Sequence, residues 1–256
     1  MTVRIEKRPG AERGSRTPEK IQSLSSGAIG TVTDAVKDAA GGAIRAVKPR
    51  LRGWIHAFTA PLALAACIVL TVLAPGPALT WACAAYLACS LFLFANSGVY
   101  HISYGHWPRR VTAVLRRVDH ANIYLLIAGT YTPLSVALLD RGMTLLVLGI
   151  VWGGALAGII TSLAWRSAPR WLTTLFYILL GWVAIWFLPQ FWMTGGPAIV
   201  WLLVSGGVVY TVGGVVYARR WPDPDPRWFG FHEIFHTCTV AAWACQCTAC
   251  YLAVLG

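Results

Sequence analysis

Residues 231–236 read Phe-His-Glu-Ile-Phe-His, so His232-Glu233-Ile234-Phe235-His236 carries the H-E-x-x-H pattern of zinc metalloproteases. Two histidines four apart on a helix share one face, about 5 to 6 Å from each other, and can hold one ion between them. Such an ion needs a third protein ligand. In soluble enzymes of this pattern it lies further along the chain, but only 20 residues follow His236 and none is His, Asp or Glu. Intramembrane proteases with the same pattern take an aspartate from a later helix, whereas here the pattern opens the last apolar run. The third ligand must come from upstream. Glu233, the general base if this were a protease, steps off the ligand face by about 100° and is expected to turn toward headgroups or loop at the boundary, away from the ion.

Upstream, Ser97 and His101 repeat the four-residue spacing, and Asp119 stands at the head of another apolar run. Three neutral imidazoles and a water make a tetrahedral zinc site with one open position, and a nearby carboxylate can orient the water or a ligating ring. His101, His232 and His236 suit the first role, Asp119 and Ser97 the second. A single histidine of this kind is most simply a boundary residue that snorkels to the headgroups. Three histidines and an aspartate converging at one depth argue for a site.

The elements that bring them to one depth are transmembrane helices. The 256-residue chain is 57% hydrophobic and 12% charged, with a mean hydropathy of +0.59, which excludes an ordinary water-exposed globular surface. Seven apolar runs of roughly 18 to 25 residues, the length a helix needs to cross the hydrocarbon, fall at 54–74, 78–100, 120–139, 143–164, 171–188, 197–217 and 232–255, with boundaries good to about 2 to 4 residues. Pro, Gly and charge separate them at 74–78, 140–142 and 221–228.

Of the 21 Lys and Arg residues, 20 fall on one side if the N-terminus is cytoplasmic: 11 within residues 1–53, then Arg109, Arg110, Arg116, Arg117, Arg166, Arg170, Arg219, Arg220 and Arg227. Only Arg141 falls on the other. Positive flanks stay inside, so the predicted topology is N-in and C-out, and the second, third and seventh runs deliver His101, Asp119 and His232 to the same cytoplasmic boundary. The net charge of +11 then belongs to a membrane face with anionic headgroups as counterions, and no nucleic-acid partner is implied.

Residues 1–47 are polar and basic and read as a largely disordered cytoplasmic tail outside the membrane domain at 48–256. Ile29, Val32, Val36, Ala40, Ala43 and Val47 recur at near-helical spacing, the pattern of a short interfacial helix, but Gly41-Gly42 counts against one. Seven cysteines (Cys67, Cys83, Cys89, Cys238, Cys245, Cys247 and Cys250) lie in the apolar runs, and Cys247-Thr248-Ala249-Cys250 lacks the βαβ setting of a redox pair. They read as small packing residues.

Taken together, Ser97-Gly98-Val99-Tyr100-His101, the stretch RRVDHANIYLLIAGTYTP at 116–133 and FHEIFH before the last run resemble the three signatures of the hemolysin III family, from about Lys48 to the end. That family belongs with the adiponectin and progestin receptors. The resemblance implies a seven-helix bundle in a bacterial-type plasma membrane with zinc on His101, His232 and His236, Asp119 near the metal and Ser97 a turn from His101. Wider relatives include ceramide-hydrolysing membrane enzymes with a similar residue set. His120 departs from the aromatic residue often found after that aspartate in receptor relatives and reads as a boundary residue. His56, at the start of the first run, could approach the site but is expected to snorkel.

Three functions follow. The first is a zinc-dependent hydrolase of a lipid amide or ester, with Asp119 as general base and Ser97 as donor to the oxyanion. The second is a non-enzymatic sensor or membrane-homeostasis protein with structural zinc. The third is the cytolysis in the family's name, which fits least well a chain with no soluble state.

Overall fold

A computed structural model describes residue 49, residues 51–165 and residues 168–256; the tail at 1–47, with its disorder and interfacial-helix alternatives, lies outside the described residues. The unit Pro49–Gly256 is all-helical. Its helices are α1 (Trp54–Leu73), α2 (Gly76–Ile102), α3 (Arg109–Leu138), α4 (Arg141–Ala164), α5 (Arg170–Gly181), α6 (Leu188–Arg219) and α7 (Phe231–Leu255). Six are long and apolar enough to cross a membrane, all but α5.

Consecutive helices pack against one another, α1 returns to α7 to close the bundle, and α3 touches α2, α4, α5, α6 and α7. The central helix is therefore α3, with 72% of its most apolar stretch buried against 17% for α4. Its interior is polar enough to need internal partners, because lipid supplies none. The Asn122 amide donates to the Phe92 carbonyl at 2.9 Å, and the Trp152 indole donates to Thr132 Oγ1 at 3.1 Å. The outer faces carry side chains such as Phe58, Leu62, Val72, Trp81 and Trp186, more than half exposed, as lipid contact requires.

Two predicted elements differ from the structure. The stretch between the second and third predicted runs, 101–119, holds the end of α2, a short turn and the first turns of α3, which starts at Arg109 after Pro108 and places Asp119 well inside the helix. Hydropathy marks only the apolar window, while Arg is a good helix former that carries the helix beyond it. The fifth run, 171–188, is a 12-residue α-helix that tightens into a 3₁₀ turn at Trp182–Trp186. The break is held from α3: the Tyr131 hydroxyl donates to the Gly181 carbonyl at 2.7 Å and accepts the Ala184 N–H at 2.6 Å. A periodicity count cannot see a break whose freed backbone groups are paired by another helix. The sixth run, predicted from 197, begins where α6 kinks, at Gly196 (φ 78°) and Pro197.

Candidate metal centre

The site forms at the end of the bundle where α2 stops and α7 starts. His101 lies in the last turn of α2, with Ser97 one turn earlier on the same buried face. His232 and His236 occupy the first turns of α7. The ring nitrogens of His101, His232 and His236 offer one ligand atom each, all within 4.8 Å of one another. His101 Nε2 and His232 Nε2 stand 3.2 Å apart. Two imidazole nitrogens so close share either one proton or one cation. Bonds of about 2.0–2.1 Å in a tetrahedral zinc site place neighbouring nitrogens roughly 3.3 Å apart, so the donor set fits the ion that its chemistry suggests. Among the described residues no other group of three His, Cys, Asp or Glu side chains is so arranged.

Asp119 reaches the centre from α3, its Oδ2 at 3.6 Å from His101 Nε2. Ser97, buried one turn before His101, faces the same end of the bundle. All five residues singled out in the sequence are thus brought together from three helices, with Ser97, His101 and His236 buried and Asp119 and His232 partly open.

Glu233 turns away from the converging nitrogens, as expected, and meets the segments that enter the helices rather than headgroups. It is fully buried instead of turned to the headgroups, and its Oε1 accepts from Arg52 Nε at 3.0 Å. Its Oε2 accepts the Gly230 N–H at 2.9 Å. The acid at the third position of α7 thereby satisfies a free donor at the helix start, half of a capping box, since glycine has no side chain to return the bond. The carboxylate is spent on the helix start and the arginine.

His120 lies outside the converging group. Its Nδ1 lies 2.7 Å from the Arg116 carbonyl, which can only accept, so Nδ1 carries the proton. Nε2, 3.4 Å from the Tyr217 hydroxyl, is then the acceptor.

His56 overturns its expected role. It does not snorkel: it is 3% exposed, and its ring stacks on that of His236 at 3.8 Å between centroids and 2° between planes. The cause is the close approach of α1 to α2. A side chain at Gly98 would meet the Ala57 backbone at 3.1 Å, and one at Gly53 (φ 90°) would meet His101 Cβ at 2.7 Å. Two glycines therefore let the start of α1 lie against the end of α2. The signal was present in the sequence: His56, Thr59, Ala63, Cys67 and Leu70 form one stripe at helical spacing, and that stripe is the buried face of α1. Arg52, counted only as a flanking charge, carried no comparable signal.

With this geometry in view, the comparisons with known proteins place the chain. The family model described as Haemolysin-III related matches residues 44–247. The chain belongs to the hemolysin III family. It is similar to a hemolysin-3 homolog of Bacillus subtilis (strain 168), 32% identical over 142 residues, which are 55% of this chain and 65% of the relative. It is also similar to hemolysin-3 of Bacillus cereus, 35% identical over 114 residues, or 44% of this chain and 51% of the relative. The aligned stretches thus span between about half and two thirds of those relatives' lengths.

Proposed function

We propose that this membrane protein binds zinc through His101, His232 and His236 and uses it to hydrolyse an amide or ester bond in a lipid. The observation that carries the proposal is the 3.2 Å approach of His101 Nε2 to His232 Nε2, with the Asp119 carboxylate 3.6 Å from the same His101 nitrogen. Zinc, when bound, lowers the pKa of water and polarises a carbonyl. Around it Asp119, partly open and beside the histidines, takes the proton of the attacking water as general base. Ser97, buried a turn from His101, donates a hydrogen bond to the oxygen on which negative charge develops.

The topology that goes with this proposal is seven spans, α5 and its 3₁₀ extension making the fifth, with the N-terminus cytoplasmic and the C-terminus outside in a plasma membrane. The distribution of Lys and Arg supports it.

A second proposal keeps the zinc and removes the catalysis: a sensor or homeostasis protein in which the ion ties α2 to α7. The dense packing of His56, His101 and His236, all buried, favours it. Cytolysis, the activity in the relatives' names, has no support beyond those names. Detergent-purified protein incubated with lipid amides, with and without a chelator, tests the first proposal. Chelator-sensitive release of fatty acid supports it; zinc retained without turnover favours the second.

A further inference from the structure

Metal-binding histidines are ordinarily oriented by a hydrogen bond from the ring nitrogen that does not face the ion. Among the described residues, no hydrogen bond reaches the His236 ring. The nearest ring to it is that of His56, parallel within 2° at 3.8 Å between centroids, ahead of His232 at 4.5 Å and His101 at 5.1 Å. Neither nitrogen of His56 has a hydrogen-bond partner, and His56 is outside the group whose nitrogens converge. The ring therefore acts through its face.

Its own position is fixed from behind. Phe94, fully buried, stands edge-on to His56 at 5.2 Å, Trp243 stands edge-on to Phe94 at 5.4 Å, and the Trp243 indole donates to Ser90 Oγ at 3.1 Å. A column of rings from α1, α2 and α7 thus ends on His236.

We infer that His56 is the positioning residue of the metal centre, holding the His236 ring by stacking in place of the usual hydrogen-bonded partner. This rests on the proposal that His101, His232 and His236 bind zinc. It asks for a flat face at position 56 rather than for an imidazole.

The test compares His56→Leu, which keeps bulk without a face, with His56→Phe, which keeps the face without the nitrogens. Zinc affinity is read in detergent by competition with a chromophoric chelator, and ring orientation by the visible absorption of the cobalt-substituted protein. His56→Leu should bind zinc roughly 10- to 100-fold more weakly, the usual cost of losing an orienting partner, with altered cobalt bands. His56→Phe should stay within about threefold of wild type with unchanged bands. Wild-type affinity in His56→Leu, or equal weakening in a folded His56→Phe, overturns the inference while leaving the zinc proposal intact. Wild-type protein that binds no zinc overturns both. Should His56→Leu aggregate, folded His56→Phe still decides, retained affinity and bands supporting the stack and lost affinity refuting it.

Discussion

Arg52 and Glu233, 181 residues apart in sequence, meet at 3.0 Å where the chain enters α1 and the last helix begins. The glutamate is fully buried while the arginine is 24% exposed, so removing the carboxylate charge costs less than the about 3–5 kcal/mol of a pair buried on both sides. Glu233→Gln should therefore lower the melting temperature in detergent while zinc content remains near one per chain. Arg52→Gln in the same background should recover part of the loss. Unchanged stability together with abolished lipid hydrolysis would instead make Glu233 the base of a protease-like mechanism.

Gly53 is the second structural support, holding a φ of 90° with His101 Cβ 2.7 Å from where its own β-carbon would stand. Gly53→Ala imposes both a strained backbone and a collision with the ligand-bearing turn. Zinc content should fall with stability in this variant, whereas Gly76→Ala, also at positive φ but with open space around it, should lower stability alone. Metal analysis of the two purified variants distinguishes them.

The convergence of the candidate residues was legible in the sequence, and parts of the fold around them were not. His101, Asp119, His232, His236 and Ser97 could be found because ionisable groups inside apolar runs are costly and therefore few, and their helical spacing is local. The start of α3 at Arg109 was hidden because charged residues continue a helix without an apolar signal. The break at Gly181 was hidden because its supporting hydroxyl belongs to Tyr131, 50 residues away. That Glu233 turns off the ligand face was legible, but its partner was not: a position 100° off the ligand face of α7 can meet solvent, lipid or another chain segment, and only packing shows that it is Arg52.

Asp119 and Ser97 should separate metal binding from chemistry. Asp119→Asn keeps the shape but cannot take a proton, so zinc should be retained and turnover of a lipid amide should drop by roughly 10²–10⁴-fold. Ser97→Ala removes one donor, for a loss of about 10²–10³-fold. Turnover measured beside zinc content in both variants checks this, and full activity in Asp119→Asn contradicts the base assignment.

Orientation follows from the arginines. Alkaline phosphatase fused after Gly256 should be active in a bacterial host, and a fluorescent protein at the same place should stay dark, if the C-terminus is outside. Fusions in the loop between α6 and α7, residues 220–230, should show the opposite pattern.

The central claim is that three histidines from two helices hold one zinc ion, and metal content tests it most directly. Protein purified without added metal and measured by elemental analysis should carry about one zinc per chain. His101→Ala, His232→Ala and His236→Ala should each lose most of it, because two remaining ligands are too few, while His120→Ala should keep it. Full zinc occupancy in all three ligand variants, or none in the wild type, would contradict the account.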